Sequence, residues 1–251
     1  MRFSRHRSRR RSTATELVGG SAFGSRSRRS RPEGGATNAI FENLDLFWLG
    51  FSNTVRLLVI TLLIALPAGI LLAGMRISPI AALRGVSITY VELLRNTPLT
   101  LVFFFMAFVL PRLVGPINFE VGAILALSLY TTAFYAEAVR SGINSVPIGQ
   151  AEAARSIGLG FGQSLQTVIL PQAVRAVVPP IINVTIALTK NTSVAAGFFV
   201  VVLPNVFQRL TNEYAGQAIP IFIGVAICYL IITVPLGQLG DRLERRWAVS
   251  R

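Results

Sequence analysis

From Phe47 to Met75 the chain carries a single ionisable side chain, Arg56, and is otherwise dominated by Leu, Ile, Val, Phe, Ala and Gly. A helix over that stretch rises about 40 Å at 1.5 Å per residue, more than the hydrocarbon core of a bilayer, roughly 30 Å. Only a helix satisfies every backbone N–H and C=O internally in lipid. The feature repeats. Ser87 to Leu110 and Glu120 to Arg140 each suffice for one further crossing, and Ala218 to Leu239 supplies the last. The fourth begins at Pro171 and runs apolar to Leu188. It is interrupted by Thr189-Lys190-Asn191-Thr192-Ser193 and resumes over Val194 to Leu203, a piece too short to cross again, which reads as a half-helix or re-entrant segment. The expected fold is therefore an all-α integral membrane protein of about five transmembrane helices. A chain 52% apolar and 14% charged, of mean hydropathy +0.59, has more apolar surface than a soluble core of this size could bury.

The formal charge of +13 is unevenly spread. Residues 1–38 hold ten arginines and two glutamates, a contribution of +8 that leaves +5 for the remainder. This Arg/Ser/Gly-rich stretch has no apolar periodicity and reads as disordered; it also lacks the apolar centre of a signal peptide. Three readings compete for it: an artefact of an upstream start site, a tether to anionic lipid and a nucleic-acid arm, the first being preferred and no nucleic-acid partner expected. The organisation is then a tail (1–38), a transmembrane domain (39–246) with a polar loop at 147–171, and a short end (247–251). In the loops, Arg76, Arg84, Arg155, Arg175, Arg242, Arg245, Arg246 and Arg251 fall on one side and Arg112 and Arg209 on the other. The first side should be cytoplasmic, which places the 147–171 loop and the C-terminus inside. With five spans the arginine-rich tail would then lie outside, a conflict that favours its being a start-site artefact.

The 147–171 loop is polar and glycine-punctuated: Glu152-Ala153-Ala154, then Gly158, then Val168, Leu170 and Pro171. Two alanines permit close approach, Glu152 offers a charge, glycines at 158, 160 and 162 let the chain turn out of a helix, and Pro171 suits a helix start. This spacing resembles the cytoplasmic coupling loop of permease subunits in ATP-binding-cassette importers; only Val168 departs from the usual isoleucine. Asn53-Thr54-Val55-Arg56, the run Glu92 to Leu99 and the run Ala187 to Ser193 are similar to the polar amino acid branch of that family, and Arg95 to Val102 with Gly149 to Ser156 look most like actinobacterial glutamate-uptake permeases. The likeness covers about residues 44–246. It implies the fold of a type I importer permease with a cytoplasmic coupling helix (Glu152, Ala153, Ala154, Arg155, Gly158). The implied partners are two cytoplasmic ATPase subunits that carry ATP and Mg, a second identical or homologous permease, and an extracellular amino-acid-binding protein. No cofactor is implied in this chain.

The intramembrane polar residues are the candidates for the solute path. Lys190, the one lysine, costs about 2.5–3.5 kcal/mol at membrane depth and should face protein or a water-filled cavity. Either it binds a substrate carboxylate, with Asn191, Thr192 and Ser193 beside it at an interrupted helix, or it pairs with Glu137 or with freed carbonyls. Glu92 and Arg95, three apart, are read as a neutralising pair; Glu137 and Arg140 are read likewise. Pro98 frees the Leu94 carbonyl and kinks the second span, which either forms a hinge or places Asn96 and Thr97 toward the cavity. Arg56 reads as snorkelling to the interface and Tyr130-Thr131-Thr132 as helix contacts. Catalysis finds no support. The chain lacks a Gly-rich Lys-Ser/Thr phosphate loop, its one histidine and one cysteine exclude ordinary zinc sites, and the 158/160/162 glycines have no preceding strand for dinucleotide binding. Two alternatives of other classes are a secondary amino acid transporter and a membrane scaffold using the basic tail.

Overall fold

The computed structural model describes residues 38–247, and among them every element is helical. The tail and the last four residues lie outside the described residues, and so do the expectations made for them. A short turn, α1 (Asn38–Phe41), leads into α2 (Leu44–Arg76). The second apolar stretch divides into α3 (Ala81–Arg95) and α4 (Leu99–Val114). There follow α5 (Phe119–Asn144), the short α6 (Ile148–Ser156), the long α7 (Phe161–Phe198), α8 (Leu203–Glu213) and α9 (Ala218–Trp247). Among the described residues four helices are long and apolar enough to cross a membrane, and α3 with α4 would make a fifth span.

α5 is the centre, packed on α2 and α7. Its composition explains why: Gly122, Ala123, Ala126, Ala133, Ala136, Ala138 and Gly142 are buried and let neighbours approach closely, as small residues do between membrane helices. A Cβ on Gly69 of α2 would stand 2.5 Å from Tyr135 Cβ and 3.1 Å from the Thr132 carbonyl oxygen. Further along α5, a Cβ on Gly142 would lie 2.7 Å from the Cα and 2.9 Å from the nitrogen of Val177 on α7. Large apolar residues such as Leu63, Leu71, Phe222 and Ile231 are exposed on the outward faces of α2 and α9, as lipid-facing surfaces require. Buried Thr54 joins α2 to α8: its Oγ1 donates to the Gly50 carbonyl at 2.7 Å and accepts from the Leu203 N–H at 3.2 Å.

Three sequence expectations are corrected. The second stretch is not one kinked span: its two helices meet at 100° across Asn96-Thr97-Pro98. Proline forces the preceding residue out of the helical region, and the Thr97 hydroxyl satisfies the Leu93 carbonyl at 2.8 Å, so the chain can leave its axis without an orphaned acceptor. Contacts of Ser87 Oγ with the Leu72 carbonyl and of Arg95 with Glu137 hold α3 against α2 and α5. The fourth span does not start at Pro171 but at Phe161. A widened turn at Leu165–Ile169, closed by the Leu170 N–H on the Leu165 carbonyl, accommodates the missing N–H of Pro171 inside a continuing helix. Nor is that helix interrupted at 189–193. Regular α geometry reaches Asn191 and tightens to a 3₁₀ helix over Thr192–Phe198. Residues 194–203 are thus no half-helix: after Phe199, in the left-handed region at φ +62°, the chain extends into α8.

Candidate functional site

α6 stands at the end of the bundle where α2 and α5 finish and α7 begins, joined to α5 by Ser145-Val146-Pro147. Its C-terminus is a Schellman motif. The Leu159 N–H donates to the Ala154 carbonyl at 3.1 Å and the Gly158 N–H to the Arg155 carbonyl at 2.9 Å, with Gly158 at φ +86°. Only glycine takes that conformation freely, and nothing lies within 4 Å of where its Cβ would be. Gly160 then caps α7, its N–H donating to Gln163 Oε1 at 3.1 Å. Glu152, Ala153 and Arg155 are exposed, whereas Ala154 is 3% exposed. The expectation that both alanines face a partner is corrected: Ala154 turns inward, and its small size seats α6 on the chain beneath it. Sequence reasoning also passed over Ile148, Ile157 and Phe161, which are 78%, 78% and 74% exposed around α6. Large apolar residues inside an otherwise polar loop were the signal for them. These exposed apolar side chains stand beside the exposed charges of Glu152 and Arg155, and large apolar residues left in the open mark interaction surfaces.

Above this patch lies a charged hub. Glu137 of α5 receives Arg76 of α2 at 3.0 Å, Arg140 one turn on (Nε at 3.2 Å) and Arg95 of α3 at 3.5 Å. Side-chain exposure is 20% for Glu137 and 17% for Arg76, so the hub is substantially withdrawn from solvent. The Glu92–Arg95 pair expected from the sequence does not form. Arg95 turns to Glu137 and lays its guanidinium 5.8 Å from the centre of the Phe134 ring, while Glu92 is exposed with no ion pair among the described residues. A long side chain follows the deeper carboxylate, which carries less competing hydration. Glu137–Arg140 forms as expected. Arg56 pairs with Glu120 at 2.8 Å instead of standing alone.

The solute-path candidates are split. Lys190 is exposed in the single chain and makes no ion pair among the described residues, where Glu137 is held instead by Arg76, Arg95 and Arg140. Asn191 is half-buried and faces a cavity of about 200 Å³ between α5 and α7. The Thr192 hydroxyl is buried on the Thr189 carbonyl at 2.6 Å, and the Ser193 hydroxyl bonds the Lys190 carbonyl at 2.6 Å, so both are occupied by the backbone. Asn96 and Thr97 sit at the sharp bend, Asn96 exposed. Among the described residues no group of three His, Cys, Asp or Glu could hold a metal ion.

Residues 65–249 match the family model described as binding-protein-dependent transport system inner membrane component. The glutamate transport system permease protein GluC of Corynebacterium glutamicum is 39% identical over 221 residues, covering 83% of this chain and 95% of the relative. The probable glutamine ABC transporter permease protein GlnM of Bacillus subtilis is 39% identical over 212 residues, covering 82% and 95%. A crystal structure of an amino acid ABC transporter with histidines superposes with TM-score 0.77 at 26% identity over 84% of this chain and 98% of its own. The inward-facing MetNI methionine ABC transporter, at TM-score 0.64 and 24% identity over 84% and 99%, shares the fold.

Proposed function

The chain belongs to the family of binding-protein-dependent transport system inner membrane components, and we propose that it is the permease subunit of an ATP-driven importer for an amino acid, glutamate foremost. As a multi-pass permease it is not an enzyme; ATP and Mg would be held by two separate ATPase subunits. The observation that carries this reading is α6: an exposed helix, ended by a Schellman turn at Gly158 and rimmed by Ile148, Ile157 and Phe161. On the positive-inside argument this end, with α6 and the C-terminus, faces the cytoplasm. Closure of the ATPase pair would draw two α6 helices together, one from this chain and one from a second permease. α6 is three residues from α5, and α5 meets α7 closely at Gly142, where a Cβ would lie within 3 Å of both the side chain and the backbone of Val177, so such a movement would pass into the bundle without slack. An extracellular binding protein would deliver the solute at the opposite end. The exposed face of α7 bearing Lys190 is the one a second permease would cover, since an uncovered cation in lipid costs several kcal/mol.

The test is a cysteine at Ala153 in a complex reconstituted with its ATPase, binding protein and second permease. Crosslinking to the ATPase and its dependence on ATP are measured, alongside glutamate uptake. An ATP-dependent crosslink is expected. Absence of any crosslink in a complex that takes up glutamate would overturn the coupling role. Solute movement by the isolated chain down an ion gradient would favour a secondary transporter.

A further inference from the structure

The end of α7 farthest from α6 combines two unfavourable backbone features. Its last seven residues, Thr192–Phe198, form a 3₁₀ helix, although such runs seldom exceed about three or four residues and a longer one often marks a hinge. The chain then turns through Phe199 at φ +62°, the one non-glycine residue at positive φ among the described residues. Helices commonly close on a left-handed residue, but that residue is usually glycine; a side chain with a Cβ is strained there. Strain of this kind persists only where the surroundings impose it. Phe198 is 6% exposed, with its ring 4.9 Å from that of Phe103 and 5.1 Å from that of Phe104. Phe199 is 69% exposed and leans on Phe119 at 4.8 Å, over a pocket of about 250 Å³ that Asn53, Glu120 and Val201 also line. From α8, Asn205 Nδ2 donates to the Ala196 carbonyl at 3.3 Å while its Oδ1 accepts from the Val202 N–H at 3.0 Å.

The two adjacent phenylalanines make a second arrangement available. A 3₁₀ helix advances about 120° and 2.0 Å per residue, an α-helix about 100° and 1.5 Å. Counted from Thr192, six 3₁₀ steps lead to Phe198 and seven α steps lead to Phe199; the two end points differ by about 20° in direction and about 1.5 Å in height. If the segment rewinds to α geometry, Phe199 therefore arrives where Phe198 now stands, against Phe103 and Phe104. Withdrawing a buried phenylalanine ordinarily leaves a cavity, but here an identical side chain refills it. Rewinding also takes Phe199 out of the left-handed region. Against it stand the ring contact with Phe119 and the Asn205 amide, which occupies the Ala196 carbonyl that the Val200 N–H would need in a continued α-helix.

We propose that residues 192–199 form a two-register switch. In one register Phe198 fills the site beside Phe103 and Phe104, and Phe199 covers the pocket with Phe119. In the other, Phe199 fills that site, the helix end is about 3.5 Å shorter, and the pocket is uncovered. On the reading of the chain as an importer permease, which the switch rests on for its role, this is the end that meets the binding protein, and the switch regulates access there.

The experiment measures an intrachain distance and melting in the purified complex with its ATPase, second permease and binding protein in nanodiscs. Spin labels are placed through Val121→Cys on α5 and Gly197→Cys on the switch, in a Cys228→Ser chain that removes the one native cysteine, with unlabelled copies in excess. Both label positions are exposed, and nothing lies within 4 Å of where a Gly197 Cβ would stand. Rewinding turns position 197 by about 100° about the helix axis, so the registers give two distances. Phe198→Ala should raise the population of the second distance at least tenfold, since only Phe199 can then fill the site. Phe199→Ala should leave the first distance alone. Each single variant should lower the melting temperature by a few degrees, and the double variant by clearly more than their sum, because each ring stands in for the other. An unmoved distance in Phe198→Ala, or additive melting shifts, overturns the switch. Failure of Phe198→Ala to assemble overturns it too, because Phe199 has then not refilled the site. Unmoved distances in a complex that takes up glutamate defeat the switch and leave the permease reading intact. Distances that respond as expected in a complex that takes up no amino acid uphold the switch and defeat the permease reading.

Discussion

Gly142 is where α5 and α7 have the least room to yield near α6, and Gly142→Ala measures it. The added methyl would stand 2.7 Å from Val177 Cα and 2.9 Å from its backbone nitrogen. Carbon atoms in contact prefer about 3.5–4.0 Å, so the deficit is close to 1 Å. It cannot be relieved by rotating a side chain, because two of the atoms in the way are backbone. α5 and α7 must separate by about that amount. Overpacking of this kind costs roughly 1–3 kcal/mol, and at about 2–4 °C per kcal/mol for a chain of this size the detergent-solubilised protein should melt several degrees lower. Gly85→Ala on α3 is the control. Nothing lies within 4 Å of the new methyl, and replacing a mid-helix glycine should be neutral or stabilising by about 0.5–1 kcal/mol. Uptake by the reconstituted complex should fall in Gly142→Ala and persist in Gly85→Ala. Equal melting temperatures for Gly142→Ala and wild type would refute the close-approach reasoning.

Thr54→Val removes the acceptor of the buried Leu203 N–H and should cost about 1–3 kcal/mol, read by thermal denaturation; a neutral effect would mean that α8 is held by other contacts. Glu137→Gln leaves Arg76, Arg95 and Arg140 facing one another. Breaking a fully buried pair costs about 3–5 kcal/mol, and partial exposure of these groups lowers the expectation to roughly 2 kcal/mol. A double-mutant cycle with Arg95→Gln should show coupling above about 0.5 kcal/mol, and strict additivity would remove Arg95 from the hub. Gly158→Ala forces a left-handed conformation on an L-residue at a cost of about 1–2 kcal/mol in an exposed turn. ATPase pull-down and uptake should fall together while membrane insertion is retained, and full uptake would separate the Schellman turn from coupling.

The sequence was most legible where the physics is local. A run of apolar residues commits to a helix because lipid offers its backbone no other partner, and α2, α5 and α9 appear where their runs lie, each longer by a few residues. The turn at Gly158 was equally plain, since a helix followed by a polar, glycine-rich stretch has few ways to end. Proline was ambiguous for the same local reason. Pro98 ends a helix, and Pro171 does not, because a widened turn supplies a different donor geometry around it. Either outcome satisfies the rule that buried carbonyls find partners, and the rule does not choose between them.

The amino-acid order by itself settled the solvent, the helical class, the exposed α6 and the family to which they belong. Folding in three dimensions decided which carboxylate captures Arg95, that Ala154 faces inward while Ile157 and Phe161 face out, and that the apolar stretch around Asn96-Thr97-Pro98 turns through 100°. Choices of the first kind depend on neighbours along the chain, a few residues away. Those of the second depend on long side chains and helix faces meeting partners far away in sequence, whose distance is fixed only when the small residues of α5 have drawn α2 and α7 together.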